Sequence, residues 1–162
     1  MVIRKSEHEI MATVLFYEKP GCANNTRQKA MLELSGHIVE AVNLLEYSWS
    51  KDELEKFLGD KSVAECFNPA APSIKSGEIN PSGFTREEAV TIMIREPLLI
   101  KRPLMKIDNH HLQGFDTTVL KNLIRLDPVH GAEDVLQSFK MSDMNSCPHN
   151  NNNNFSCKNP EQ

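Results

Sequence analysis

The stretch ATVLFYEKPGC, residues 12–22, decides the fold of this chain. Its first six residues are a short run of aliphatic, β-branched and aromatic side chains, which predicts a buried strand. The next four, EKPG, predict a tight turn, because proline fixes its own φ and glycine accepts dihedral angles that other residues avoid. Cys22 therefore stands where a strand turns into the next element.

A helix and a second strand follow this turn. Apolar side chains at helical spacing, with Gly36 as the stop, predict a helix over about 23–35. Residues 37–45, HIVEAVNLL, contain β-branched residues near their start and predict a strand. Because a helix separates the two strands, we expect them to be parallel, so the chain opens with a βαβ unit.

Two capping boxes mark helices in the middle of the chain. Ser50 with Glu53, and Thr85 with Glu88, have the spacing at which two side chains satisfy the free amides of a helix start. They predict helices over 51–58 and from residue 86 onward. A hairpin should follow, since residues 98–107 lead through a polar turn to a second strand over 110–114.

Asp116 is placed to cap a last helix over 117–125. The resulting order, βαβ, helices, ββ and α, predicts an α/β protein of thioredoxin-like fold, with a mixed sheet and an inserted helical subdomain over about 50–96. This domain would occupy 12–126, after an N-terminal extension over 1–11. From about 127 the hydrophobic pattern weakens, so 127–162 is predicted to be a disordered polar tail.

Composition and charge argue against some functions. No apolar run approaches the ~20 residues that span a membrane, and the charged start lacks the apolar core of a secretory signal peptide. The formal net charge is -4 and no dense Lys/Arg cluster occurs, which argues against binding to nucleic acid. We therefore expect a cytoplasmic protein that binds neither membrane nor nucleic acid.

The four cysteines, Cys22, Cys66, Cys147 and Cys157, form no C-x-x-C pair. In a reducing compartment they are expected to be free thiols rather than a disulfide framework. Zinc sites normally use tighter, paired ligands than those of the polar tail. The sequence therefore predicts no metal site and no bound cofactor.

Cys22 is the candidate reactive residue. At the start of a helix it would lie among backbone N–H groups that have no intrahelical partner, at the positive end of the helix dipole. Both effects favour a thiolate, and Asn24, Asn25 and Thr26 add short polar side chains that are able to hold an anion. The alternative is an inert buried cysteine.

Three segments carry a wider pattern: FYEKPGCANNTRQKA at 16–30, FNPAAPSIKSGE at 67–78 and PLLIKRPL at 97–104. Together they resemble the nitrogenase-associated branch of the arsenate reductase (ArsC) and Spx-like family, over about residues 12–125. The resemblance implies a thioredoxin-like fold with a helical insertion, a cytoplasmic bacterial protein and a link to nitrogen fixation.

The resemblance also implies residue roles. Cys22 matches the nucleophile that attacks arsenate, and glutathione or a glutaredoxin would be the thiol that resolves the adduct. Arg102 and Pro103 match the family's Arg-Pro element, in which a cis-proline faces the cysteine and the arginine holds an anion. Lys75 in the insertion and Arg27 on the first helix are further candidate anion-binding residues.

Several positions depart from the family's pattern. Glu18 stands where arsenate reductases have a histidine, and its charge would oppose a nearby thiolate, an effect that Lys19 can offset. Asn25 and Thr26 replace a serine and an arginine, while Arg27 is turned by about 100° around the helix. A lysine in the insertion cannot grip a tetrahedral anion bidentately. These departures weaken the case for arsenate as the substrate.

The leading hypothesis is an ArsC-like thiol oxidoreductase linked to glutathione or glutaredoxin. Because Asn25 occupies the position of the second cysteine of Spx-like regulators, a resolving thiol would come from elsewhere. Cys66 is either that thiol or a small buried hydrophobic residue. The alternatives are a non-catalytic adaptor that binds a nitrogen-fixation protein through the same fold, and a protein that binds glutathione without arsenate chemistry.

Overall fold

The computed structural model describes residues 11–126. The tail predicted over 127–162, and all but the last residue of the predicted extension, lie outside this range. The sheet has four strands in the order β2-β1-β3-β4. They are β1 (Thr13–Glu18), β2 (Ile38–Asn43), β3 (Leu104–Ile107) and β4 (His110–Gln113). β1 runs parallel to β2 and antiparallel to β3, which confirms the predicted mixed sheet.

Five α-helices of the described range surround this sheet. They are α1 (Ala23–Leu34), α2 (Lys51–Leu58), α3 (Pro72–Lys75), α4 (Arg86–Arg95) and α5 (Thr117–Lys121), with 3₁₀ turns at Ala64–Cys66, Pro81–Gly83 and Pro97–Leu99. The last helix is shorter than the predicted 117–125. Its predicted cap is confirmed, since the Asp116 carboxylate accepts the N–H groups of Thr118 and Val119.

The two predicted capping boxes differ in outcome. At α4 both halves are present, with Thr85 accepting the Glu88 N–H and Glu88 accepting the Thr85 N–H. At α2 the Ser50 hydroxyl accepts the Glu53 N–H at 3.2 Å, which is half of the box. The Glu53 carboxylate accepts instead the hydroxyl of Tyr47 at 2.6 Å. The sequence spacing alone did not reveal this competing donor.

The sheet separates two hydrophobic clusters, because successive side chains of a strand point to opposite faces. Tyr17 of β1 packs with Trp49 and Phe57 on the side of α2 and α4. Its neighbour Phe16 packs with Met31 and Phe115 on the side of α1 and α5. β1 is therefore buried from both faces, which explains its nearly continuous apolar sequence.

His37 joins the two ends of the described range. Its Nδ1 atom accepts the Ala12 N–H at 3.0 Å, and its Nε2 atom lies 2.6 Å from the Arg125 carbonyl. Since a carbonyl only accepts, Nε2 carries the proton in this arrangement. His37 is 5% exposed, and its two hydrogen bonds are partly buried.

Within residues 11–126, no helix has the length and apolar character needed to cross a membrane.

Candidate functional site

The turn before α1 has the geometry that its sequence predicts. The Cys22 N–H donates to the Lys19 carbonyl at 3.1 Å, closing a four-residue turn. Pro20 and Gly21 occupy its two central positions, and Gly21 has a φ of +80°. This is the dihedral that a type II turn requires at its third residue, where glycine is favoured. The turn delivers Cys22 to the start of the helix.

Cys22 is the N-cap residue of α1, with φ -75° and ψ 117°. Its carbonyl accepts the N–H of Thr26 at 3.0 Å and the Thr26 hydroxyl at 3.1 Å. Its side chain makes no capping hydrogen bond and is partly exposed. The sulfur is therefore accessible at the positive end of the helix dipole, as predicted from the strand–turn–helix sequence.

The side chains of Asn25 and Thr26 hold the loop together. The Asn25 carbonyl oxygen accepts the Lys19 N–H at 3.2 Å, and its amide nitrogen donates to Gln28 Oε1 at 3.0 Å. Thr26 is bonded back to Cys22 as described above. Asn24 is buried beside them. The structure thus gives Asn25 and Thr26 bonds within the protein, and their binding of an anion stays a prediction.

Arg102 lies in the loop just before β3, the strand next to β1. Tyr17 of β1 pairs with Leu104 of β3, so Arg102 and Pro103 lie across from the residues that follow β1. The Arg102–Pro103 peptide bond is cis, as the resemblance implied. The guanidinium lies within range of the charge at Cys22. Burial lowers the pKa of Arg102, and the Cys22 charge acts against this shift.

The Arg102 guanidinium has hydrogen-bond donors that no described residue accepts. Its Nε and Nη1 atoms are buried and have no hydrogen-bond partner among residues 11–126. Buried donors are normally satisfied, because leaving one without a partner costs about 1–3 kcal/mol. The arrangement suits a group that binds beside Cys22 and accepts these hydrogen bonds.

Glu18 does not place a free negative charge beside the cysteine. Its carboxylate forms an ion pair with Lys29 of α1, with Nζ and Oε2 2.8 Å apart. Both side chains are largely buried, which limits screening by solvent. The expected opposition of Glu18 to a thiolate is thereby reduced by a partner that the sequence analysis did not identify.

The other two cations that the sequence analysis named as candidate anion-binding residues are Lys75 and Arg27. Lys75 is exposed in the last turn of α3, within the insertion. Arg27 is partly buried on α1. The charges at Arg102 and Cys22 both act on Lys19.

Lys19 is the site residue that the sequence analysis undervalued. It is 3% exposed, although lysine is seldom fully buried. Burial lowers the pKa of Lys19, the Arg102 charge lowers it further, and the Cys22 charge raises it. Its position directly after β1 in a Pro-Gly turn was visible in the sequence, but its burial has no signature in the sequence pattern.

Cys66 differs from Cys22 in its surroundings. It is 1% exposed, and its Sγ donates to the Ser62 carbonyl at 3.4 Å. Burial raises the pKa of the Cys66 thiol, which disfavours the reactive thiolate. The residue packs in the hydrophobic cluster with Phe67, in agreement with the structural alternative for this cysteine. Residues 11–126 contain no group of three metal-ligating side chains.

The fold and site define a thiol protein with a thioredoxin-like sheet, in which a cysteine at a helix N-terminus meets an arginine next to a cis-proline. A protein of Rhodospirillum rubrum, of 15.7 kDa and named for the region 3′ of draG, is 47% identical over 121 residues, which are 73% of this chain and 85% of the relative. The arsenate reductase of Acidiphilium multivorum is 26% identical over 97 residues, 59% of this chain and 69% of the relative.

A transcriptional regulator named Spx 2, from Bacillus cereus, is 27% identical over 116 residues, 68% of this chain and 86% of the relative. The solved arsenate reductase of Vibrio cholerae shares the fold with a TM-score of 0.55 and 24% identity, over 64% of this chain and 91% of that chain. No protein-family model matches the sequence. The chain belongs to the arsenate reductase (ArsC) and Spx-like family.

Proposed function

We propose that this protein is a thiol oxidoreductase in which Cys22 is the nucleophile and Arg102 stabilises the thiolate and the anion formed from it. The observation that carries the proposal is the favourable charge interaction between the Arg102 guanidinium, whose Nε and Nη1 atoms are buried, and Cys22 at the N-terminus of α1. A guanidinium beside a sulfur is suited to stabilise the anion that the proposed reaction requires there.

The proposed reaction is thiol–disulfide exchange. The Cys22 thiolate attacks one sulfur of a substrate disulfide, a new Cys22–sulfur bond forms, and the other sulfur leaves as a thiolate. A thiolate of glutathione or of a glutaredoxin then attacks the substrate sulfur of the mixed disulfide, and Cys22 leaves as a thiolate. A second external thiolate attacks the disulfide just formed, so the remaining substrate sulfur leaves as a thiolate and the two external thiols end as one disulfide. Each cycle therefore reduces one substrate disulfide and oxidises two external thiols. An external donor is favoured because Cys66, the other cysteine of the described range, is buried.

A disulfide is favoured over arsenate as the substrate. A tetrahedral oxyanion carries several acceptors and is best held by more than one bidentate cation. Arg102 supplies donors at the site, whereas Lys75 is an exposed lysine of the insertion and cannot bind an oxyanion in the bidentate way of an arginine. Arsenate reduction is therefore the reaction that we expect to be weak or absent.

The physiological setting that we propose is cytoplasmic and linked to nitrogen fixation. Support comes from the relative whose name places it beside draG, a context of nitrogenase regulation. The same observation favours a second candidate, a non-catalytic adaptor that binds a nitrogen-fixation protein. In a nitrogen-fixing host that lacks the gene, a Cys22→Ser copy restores nitrogenase activity under the adaptor hypothesis and fails to do so under the oxidoreductase hypothesis.

Alkylation kinetics test the chemistry directly. Iodoacetamide should modify Cys22 faster at pH 7 in the folded protein than in urea, with Cys22→Ser as the background from other thiols. Arg102→Gln should slow the reaction about tenfold, because about 1.4 kcal/mol corresponds to a factor of ten. Arg95→Gln, an exposed arginine at the end of α4, is the matched control and should leave the rate unchanged.

Turnover assays complete the test. With glutathione and glutaredoxin present, the wild-type protein should reduce a small disulfide, and Cys22→Ser should not. Equal alkylation of Cys22 in the folded and unfolded protein, together with no turnover of disulfide or arsenate, would refute the oxidoreductase. Rapid turnover of arsenate with none of disulfide would refute the proposed substrate class.

A further inference from the structure

A second cation belongs to the Cys22 cluster, and it comes from the turn rather than from the helix. Lys19 opens the type II turn, and its carbonyl accepts the Cys22 N–H at 3.1 Å. Its own N–H donates to the Asn25 side chain at 3.2 Å. The Lys19 backbone is therefore fixed to the cysteine loop at two points.

The sheet register brings Lys19 to Arg102. Tyr17 and Leu104 are paired in the antiparallel ladder of β1 and β3. Lys19 is two residues beyond Tyr17 and Arg102 is two residues before Leu104, so both residues leave the ladder at the same end. Lys19 is 3% exposed, so its side chain lies within the protein rather than in solvent.

Placing two cations close together and away from water is unfavourable unless a negative charge lies near them. Like charges at close range repel, and removing them from water adds a further cost. The charge at Cys22 acts favourably on both Lys19 and Arg102. The cluster is therefore balanced best when Cys22 is a thiolate or when an anion lies beside it.

We propose that Lys19 is a second cationic residue of the Cys22 site, which stabilises the thiolate and attracts anionic electrophiles to it. This inference rests on the proposed function of Cys22 as a nucleophile. It adds a preference, since a site with two buried cations favours a negatively charged reaction partner, such as a disulfide that carries carboxylates, over a neutral one.

Two alkylating agents that differ in charge provide the test. Iodoacetate is an anion and iodoacetamide is neutral, while both react with the same thiolate. The quantity measured is the ratio of their second-order rates at Cys22 at low ionic strength. In Lys19→Gln this ratio should fall about 3- to 10-fold, as a unit charge several ångströms away contributes in a medium of intermediate dielectric.

Two variants serve as comparisons. Lys19→Arg keeps the charge and should keep the wild-type ratio. Lys56→Gln removes an exposed lysine of α2 and should also leave the ratio unchanged. Circular dichroism and thermal unfolding verify that each protein is folded. If Lys19→Gln does not fold, the salt dependence of the ratio in Lys19→Arg replaces it, and the ratio should fall as ionic strength rises.

The outcomes separate this inference from the function on which it rests. A Lys19→Gln protein with a native spectrum and an unchanged ratio overturns the role of Lys19, even where Cys22 is highly reactive. Equal loss of the ratio in Lys19→Gln and Lys19→Arg also overturns it, because a structural role does not follow the charge. A Cys22 that reacts no faster in the folded protein than in urea refutes the proposed function itself.

Discussion

Replacing Gly21 by alanine isolates the contribution of the turn that presents the cysteine. Gly21 has a φ of +80°, and a Cβ built on it meets no atom within 4 Å. Alanine therefore causes no clash, and its whole cost comes from the backbone conformation. For a residue with a Cβ, this left-handed conformation costs about 1–2 kcal/mol.

Gly83 is the matched control. A Cβ on Gly83 also meets nothing within 4 Å, but its φ lies outside the positive range. Both substitutions remove the same freedom from the unfolded chain, an effect that stabilises by about 0.4–1 kcal/mol where the native conformation is compatible. Because this effect cancels in the comparison, Gly21→Ala should be about 1–2 kcal/mol less stable than Gly83→Ala.

Urea unfolding followed by circular dichroism measures this difference. In a domain of this size each kcal/mol corresponds to roughly 4 °C in Tm, so thermal unfolding should show a gap of about 4–8 °C. Gly21→Asn should fall between the two variants, because asparagine tolerates the left-handed region better than alanine does. Equal stabilities of Gly21→Ala and Gly83→Ala would refute the assignment of a type II turn before Cys22.

Two further predictions concern stability away from the cysteine. His37→Phe removes both hydrogen bonds of the imidazole, each of which contributes about 0.5–1.5 kcal/mol, so unfolding in urea should show a loss of about 1–3 kcal/mol; the exposed His110→Phe should change little, and equal effects would contradict the role of His37. The hydrogen bond to Glu53, together with burial, raises the pKa of Tyr47, so the folded state keeps a proton that the unfolded state loses. This contribution is complete below about pH 10 and is lost as the pH rises further. The stability gap between the wild type and Tyr47→Phe should therefore shrink above about pH 10, and a constant gap would contradict this account.

Much of the fold was predictable because its signals are local. The Pro-Gly turn, the Thr85 capping box and the Asp116 cap are short patterns whose chemistry does not depend on distant residues. The half-formed box at α2 shows the limit of such patterns. Glu53 had a second donor, Tyr47, brought to it by the aromatic packing around Trp49. A distant or competing partner of this kind has no signature in spacing alone.

The candidate site was predictable in part for the same reason. Cys22 follows from the strand–turn–helix sequence, and the Arg102–Pro103 element came from a family resemblance rather than from physical reasoning. The ion pair of Glu18 with Lys29 joins residues 11 positions apart on different elements, so it required the relative placement of β1 and α1. The burial of Lys19 is a property of the folded chain that the sequence pattern does not display.

The position of the site at the ends of β1 and β3 explains which substitutions it tolerates. Lys19, Cys22 and Arg102 all lie just beyond the same end of the adjacent strands β1 and β3. The ladder between these strands therefore fixes the position of Arg102 relative to the turn that carries Lys19 and Cys22. The backbone carbonyl of Cys66, in the insertion, is bonded to residues near β3 and β4. It accepts the Lys101 N–H at 3.1 Å and the Gln113 side-chain amide at 3.0 Å. Exposed residues of the insertion can therefore vary without moving the nucleophile. A change that slips the register of β3 would move Arg102 away from the sulfur, whereas Lys19 would stay beside it because both belong to the same turn.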